Sequence, residues 1–236
     1  MHTAISIELV PRSIDGLLRD ARLAATFPHI THVNIPDLPR FPVRSTEATA
    51  LLRAEFGDRF VYVPHIPVVR LNTLHHQDVP LVVQGDIPDS FQERISGTSL
   101  ELIGRLCPHY RVMAVIDQYR SGPLAEISYV NDKIIAGTAG FFTQPFFSVS
   151  HAAYWAELLP DGVDVFYGIS PVTTEGSRSY WKDKNRVVFP RDFSLSIEWN
   201  ITHAREMLGW VRSVGQSAYL MPIRISLAEY LSGIFL

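Results

Sequence analysis

The sequence contains only one cysteine, Cys107, among its 236 residues. A single thiol excludes an internal disulfide, and a buried apolar thiol ending a helix is the simplest interpretation of it. The scarcity of cysteine fits a reducing compartment. Because the segment 1–5 also lacks the charged leader and apolar stretch of a secretory signal, we expect a cytoplasmic protein.

The sequence also lacks long blocks of like charge, and its formal net charge is −3. Such a pattern is not typical of a surface that binds nucleic acid or an anionic membrane. The most apolar run, at residues 140–147, is too short to span a membrane. The composition therefore leaves a small neutral or anionic ligand open.

Several motifs of well-known sites are missing. There is no Gly-x-Gly-x-x-Gly or Walker loop for a nucleotide, and no serine lies in a nucleophile-elbow pattern. His75 and His76 are adjacent and point in divergent directions, and no helix carries ligands at the spacing of a zinc site. We expect no metal site.

What is present is a regular alternation of strand and helix patterns over residues 1–236. The predicted strands are 5–10, 32–35, 60–69, 80–83, 111–116, 140–147, 163–168 and 218–223. Eight strands alternating with helices predict an α/β fold, a single-domain (β/α)8 TIM barrel. Because a crossover helix barely fits into 70–78, we expect the barrel to be trimmed between strands 3 and 4. The insertion 173–191 is expected to be a solvated loop, with a cover over the barrel mouth as the alternative.

Catalytic groups of such barrels stand at the carboxyl ends of the strands. The polar residues there are Glu8, Asn34, His65, Asp86, Asp117, Gln144 and Arg224. A carboxylate on a barrel strand is costly to bury, which favours a function for Glu8. His65 is equally well interpreted as a core imidazole, and Asp86 as a turn cap. Gln144, taken alone, fits a core strand in which it satisfies a neighbouring backbone.

Five segments in this order resemble the methylenetetrahydrofolate reductase family. They are Ser6-Ile7-Glu8-Leu9-Val10-Pro11, Pro64-His65, Gln84-Gly85-Asp86, the stretch from Lys133 through Gly140 to Gln144-Pro145-Phe146-Phe147, and Gly168-Ile169-Ser170-Pro171. The resemblance implies a (β/α)8 barrel that reduces 5,10-methylenetetrahydrofolate to 5-methyltetrahydrofolate, and the chain looks like a short, divergent member.

The resemblance also implies roles for individual residues. Glu8 matches the proposed acid that protonates the folate nitrogen, a role that requires a carboxyl group kept protonated by burial. Asp86 and Gln144 match the residues that pair with the pterin edge. Arg224 matches an arginine near the folate tail.

The cofactor half of the resemblance is weaker. Gln84 replaces an arginine beside the flavin phosphates, and Asp132 adds negative charge, which disfavours a bound diphosphate. His65 and Lys133 remain from the flavin-binding set, and Glu126 is a conservative replacement of an aspartate that the resemblance implies would hold the ribityl or ribose part. We therefore expect NAD(P)H to act directly, with a weakened FAD site as the alternative.

Two other functions stay open at this point. A barrel that binds tetrahydrofolate without flavin could be a tetrahydrofolate-dependent methyltransferase or demethylase. It could also be a non-catalytic folate-binding barrel.

Overall fold

Eight parallel strands form a closed barrel in the computed structural model, which describes residues 3–38, 40–67, 81–84 (backbone only) and 98–236. The strands are β1 Ile5–Glu8, β2 Ile30–Ile35, β3 Val61–Pro67, β4 Leu81–Gln84, β5 Val112–Ile116, β6 Gly140–Pro145, β7 Val165–Ile169 and β8 Ser217–Leu220. Each strand pairs with the next, and β8 returns to β1 through Ile5↔Ala218, Ser6↔Tyr219 and Ile7↔Leu220. The carboxyl ends of all these strands therefore meet at one mouth.

Helices cover the outside of the barrel. They are α1 Ile14–Ala25, α2 Ser45–Phe56, α3 Ser99–Leu106, α4 Pro123–Ile135, α5 Val149–Leu158, α6 Glu175–Ser179, α7 Ile197–Ser213 and α8 Leu227–Phe235. Several begin where a side-chain oxygen accepts from the first turn: Ser13 from the Gly16 amide and Thr98 from the Glu101 amide in a capping box. Such caps satisfy amides that have no partner within the helix, and so fix where the helix starts.

Alternation along each strand decides which side chains enter the barrel. One apolar cluster fills the interior and contains Val63, Met113, Phe142, Phe166, Tyr219 and Met221. The opposite faces of the strands pack against the helices in the larger core. Glu8 is two residues from Ser6, and Gln144 two from Phe142, so alternation also directs these two side chains inward.

The sequence predicted a (β/α)8 TIM barrel in which eight strands alternate regularly with eight helices. The structure corrects this expectation, because the alternation is not regular. A 3-10 turn, Gly57–Arg59, follows α2, and α6 with a π-helical turn at Tyr180–Lys184 is added between β7 and α7. The register of β6 against β7 shifts between Phe142 and Pro145, where the Gly168 amide donates to Thr143 Oγ1 at 2.8 Å. The expected trimming at 70–78 lies outside the described residues.

Element bounds also differ from the sequence expectation. The third strand begins at Val61 rather than at residue 60, the eighth ends at Leu220, and residues 173–191, expected to form a loop, contain two helical turns. Within the described ranges, no helix has the length and apolar character needed to cross a membrane.

Candidate active site at the barrel mouth

A cavity of about 290 Å³ opens at the carboxyl ends of the strands. Its polar lining includes Glu8, His65, Asp117, Lys133, Gln144 and Tyr219. These residues come from several strands, from the loop after β5 and from α4, and lie far apart in sequence. The fold therefore brings together the predicted residues Glu8, His65, Lys133 and Gln144.

Glu8 ends β1 and is partly exposed, on the wall of the cavity. The Tyr219 hydroxyl on the neighbouring strand β8 donates a hydrogen bond to Glu8 Oε2. Removal from bulk water raises the pKa of the Glu8 carboxyl, and the bond from Tyr219 and the charge of Arg12 oppose this effect less strongly. The side chain is thus a carboxyl group shifted toward its protonated form.

His65, on β3, belongs to a buried chain of polar groups. His65 Nε2 lies 2.9 Å from Asn34 Oδ1, and Asn34 Nδ2 donates to Ser6 Oγ. Burial lowers the pKa of His65 to about 3, so its imidazole is neutral. Since a carbonyl oxygen only accepts, the proton lies on Nε2 and His65 Nδ1 is an acceptor.

The opposite side of the cavity carries formal charges. Lys133 is 3% exposed; its Nζ donates to the Val115 carbonyl at 2.5 Å and lies 4.1 Å from the centre of the Tyr129 ring. Asp117 and Arg120, in the loop after β5, line the same side. This part of the site suits a ligand group with its own charge or strong dipole.

Glu126, expected to hold the ribityl or ribose part of a flavin, is only 1% exposed and is not among the cavity-lining residues. Its Oε1 accepts from the Asp117 amide at 3.0 Å, and its Oε2 lies 3.5 Å from Arg120 and 3.4 Å from Ser121. The carboxylate thus anchors the loop that carries Asp117 and Arg120.

Gln144 lies on β6, across the cavity from Glu8. Its backbone carbonyl accepts hydrogen bonds from Gln118 Nε2 at 2.8 Å and from Thr143 Oγ1 at 2.8 Å. Gln144 itself lines the cavity and is partly exposed. The side chains of Gln118 and Thr143 thus hold this part of the strand through its backbone carbonyl.

Arg224 lines a second cavity, of about 510 Å³, between the loops that precede α1 and α8. It adopts a left-handed backbone conformation with φ 57°, which is uncommon for a residue with a side chain. Arg12 lines both cavities, so the two adjoin. Gln84 ends β4, and Asp86 lies outside the described residues.

Sequence reasoning missed several lining residues. Tyr180, Trp181 and Asn185 reach the cavity from 173–191, which was expected to be a solvated loop. Trp181 is 6% exposed and packs with Phe147, Val172 and Val187. The density of aromatic and basic residues in this segment was the available signal. For Tyr219 the signal was a hydroxyl at an inward position of the last strand.

No family model matches the chain, and no curated protein matches it. Among solved structures, it is similar to HPPK-DHPS of Plasmodium falciparum, a triple mutant with SDX-DHP, with a TM-score of 0.54 and 12% identity over 99% of this chain. The chain spans 46% of that protein. It is also similar to Yersinia pestis DHPS with a pterine-sulfa conjugate, with a TM-score of 0.50 and 12% identity over 98% of this chain and 91% of that one.

These findings correct two expectations. The resemblance to methylenetetrahydrofolate reductases is wrong as a family assignment, because no family model matches and the similar structures are dihydropteroate synthases. The expected oxidoreductase class is wrong for the same reason, since those synthases are transferases. The motifs that carried the resemblance are short, and strand ends with glycine and proline recur in many barrels. At 12% identity, the similarity establishes the fold alone.

Proposed function

We propose that the chain is a folate-pathway enzyme of the transferase type that binds a pterin-containing ligand in the barrel-mouth cavity. The observation that carries the proposal is the pairing of Glu8, with a raised pKa, and Gln144 in one cavity. The similar DHPS structure with a pterine-sulfa conjugate supports the choice of ligand.

A pterin is a flat, polar-edged heterocycle, and the cavity offers matching groups. The carboxamide of Gln144 has both donors and an acceptor, as the amide-like edge of a pterin requires. Phe142, Trp181 and Met221 supply apolar walls for the ring faces. Asp86 stays a predicted partner of the same edge.

Glu8 is the proposed acid. When a group bonded to a ligand ring nitrogen passes to a nucleophile such as a thiolate, the bond electrons stay on that nitrogen, and a protonated Glu8 supplies a proton to it and becomes a carboxylate. Tetrahydrofolate-dependent methyl transfer is one reaction of this type. A general acid must hold its proton near the working pH, which is the direction in which burial moves the Glu8 pKa.

The second cavity extends the proposal to the remainder of the ligand. Arg12, Arg19 and Arg224 line it, and it adjoins the first cavity at Glu8 and Arg12. An anionic substituent of a folate placed there would meet guanidinium groups that suit carboxylates. This is the role predicted for Arg224 from the sequence.

The cofactors stay predictions. His65 and Lys133 line the cavity, but Glu126 is engaged with the loop after β5, so the described residues fit FAD incompletely. No step of the proposed reaction depends on FAD or NAD(P)H. An absorbance spectrum of the purified protein tests for flavin, and a fluorescence titration tests for NAD(P)H binding.

Calorimetric titration with tetrahydrofolate and with pteroic acid tests the ligand assignment. Gln144→Ala should weaken binding by about 1–3 kcal/mol, or roughly 5–150-fold, because the paired hydrogen bonds between its amide and the ligand are lost. Asn131→Ala, which removes an exposed amide on α4, is the matched control and should bind like the wild type. Equal affinity of Gln144→Ala and Asn131→Ala would contradict the assignment.

A non-catalytic folate-binding barrel is separated from an enzyme by Glu8→Gln. An acid that acts in the transition state affects turnover more than binding. We therefore expect Glu8→Gln to retain tetrahydrofolate binding and to lose methyl-group transfer from 5-methyltetrahydrofolate, measured by isotope exchange with thiol acceptors. Absence of such transfer in the wild type would favour the binding-only alternative.

A further inference from the structure

Tyr219 is held rigidly beside Glu8. It lies on β8, which pairs directly with β1, and is only 4% exposed. Its ring meets the Phe142 ring edge-on, with centroids 5.1 Å apart at an interplanar angle of 80°. Packing in the barrel interior therefore fixes the direction in which the hydroxyl points.

The hydrogen bond between the two side chains has a defined sense. The Tyr219 hydroxyl donates to Glu8 Oε2. Burial and the adjacent carboxyl raise the pKa of Tyr219 well above its usual value, which favours the protonated phenol that donates this bond. Tyr219 thus acts as the donor and takes no proton from Glu8.

A protonated carboxyl group has one carbonyl oxygen, which accepts, and one hydroxyl oxygen, which donates. Because Tyr219 donates to Oε2, the carbonyl form is favoured at Oε2 and the acid proton is left on Oε1. We infer that Tyr219 is a positioning residue, which places the acid proton of Glu8 on Oε1 and so gives the acid one direction of donation. Only the identity of the proton acceptor rests on the proposed function.

Other charged and titratable groups surround the carboxyl and must be separated from this effect. They line the same cavity and are His65 on β3, Lys133 on α4, and Arg12, Arg40, Asp117 and Arg120 in the loops at the mouth. None of these is bonded to Glu8 in the described residues; Arg12 acts on it through its charge. A change that alters Tyr219 alone therefore isolates the hydrogen bond.

Infrared difference spectroscopy reads this hydrogen bond directly. The carbonyl stretch of the protonated Glu8 should be present in the wild type and absent in Glu8→Gln. In Tyr219→Phe the band should move to higher frequency, because its carbonyl loses a donor, and should persist to higher pH, because the bond no longer stabilises the carboxylate. Tyr167→Phe, the same change on neighbouring β7 in the outer core, is the control and should leave the band unmoved.

Replacing all tyrosines with 3-fluorotyrosine provides a second measurement if Tyr219→Phe fails to fold. A more acidic phenol donates more strongly, so the Glu8 band should move to lower frequency. An unmoved Glu8 band in either form of the protein would overturn the inference. A moved band in a protein that binds no tetrahydrofolate would overturn the proposed function and leave this inference standing.

Discussion

Two walls of the barrel-mouth cavity contrast in how they handle charge. The acid wall consists of Glu8 on β1, His65 on β3 and Tyr219 on β8, which line the cavity, and of Asn34 on β2, which is buried and hydrogen-bonded to His65. The ionic wall consists of Asp117, Arg120 and Lys133, which come from the loop after β5 and from α4. The first wall contains two hydrogen-bonded pairs, Tyr219 with Glu8 and His65 with Asn34, and the second carries formal charges.

The difference follows from where each wall is built. Strands packed inside a barrel exclude water, which disfavours ionised side chains. Burial therefore raises the pKa of Glu8 and lowers the pKa of His65, and both shifts favour the neutral form. In the ionic wall, Asp117 and Arg120 lie in a loop at the rim, where Arg120 pairs with Glu126, and the buried Lys133 donates to the Val115 carbonyl. The acid wall therefore sets the protonation of its own side chains, and the ionic wall balances charged side chains against one another.

The largest effect that would test this contrast is the acid sensitivity caused by His65. Its pKa in the folded protein is lowered from 6.5 to about 3. The folded protein therefore keeps its full stability with respect to His65 above pH 6.5. It loses stability as the pH falls toward about 3, because the unfolded chain binds a proton at His65 more readily than the folded protein does. By linkage, this amounts to roughly 4–5 kcal/mol of unfolding free energy. Denaturant unfolding of His65→Gln across this range should show a correspondingly smaller dependence on pH.

His32→Gln serves as the control for that measurement. The pKa of His32 is lowered only to about 4, so its removal should reduce the pH dependence by roughly 3 kcal/mol. If His65→Gln reduced the pH dependence no more than His32→Gln, the acid wall would not be dry as argued.

The second prediction concerns Gly168 on β7, opposite the bulge of β6. A β-carbon there would come within 2.8 Å of the Gln144 and Thr143 carbonyl oxygens and 2.7 Å of Met221 Cε. Because backbone cannot yield as a flexible side chain does, Gly168→Ala should cost about 3 kcal/mol of unfolding free energy.

Gly209→Ala is the matched control, since nothing lies within 4 Å of the added carbon in α7. This change should stabilise the protein by about 0.4–1 kcal/mol. Chemical denaturation of both variants checks the pair. A Gly168→Ala protein as stable as the wild type would mean that β6 can move, and with it Gln144.

How much of the site the sequence predicts depends on how local the signal is. Glu8 and Gln144 were predicted because alternation on a strand and position at a strand end are local properties. The chain of hydrogen bonds from Ser6 through Asn34 to His65 depends on strand register, which short strand patterns do not specify. The contribution of Tyr180 and Trp181 depends on how a long segment folds back over the mouth.

Lys133 provides the third prediction, on the ionic wall. Lys133→Met keeps most of the apolar stem but removes the donor to the Val115 carbonyl and the cation beside the Tyr129 ring. We expect a loss of about 1–2 kcal/mol in unfolding free energy. The infrared band of Glu8 should stay in place, because the two walls are independent. Lys182→Met, on an exposed position, should change stability by less than about 0.5 kcal/mol.

The smallest effect on stability is expected at Tyr180, which lines the cavity from the segment 173–191. Its side chain is 53% exposed and meets the Trp181 ring at 5.7 Å. Tyr180→Ala should change the unfolding free energy by less than about 0.5 kcal/mol. It should nevertheless weaken tetrahydrofolate binding by about 0.5–1 kcal/mol, or roughly 2–5-fold, because an aromatic contact with the ligand is lost.

Tyr154→Ala separates this contact from a general effect of losing a surface tyrosine. Tyr154 is 48% exposed on α5 and does not line the cavity, so its removal should leave the affinity unchanged. Calorimetric titration of the two variants is the measurement. If both bound tetrahydrofolate as tightly as the wild type, the segment 173–191 would not contact the ligand, and recognition would be confined to the two walls.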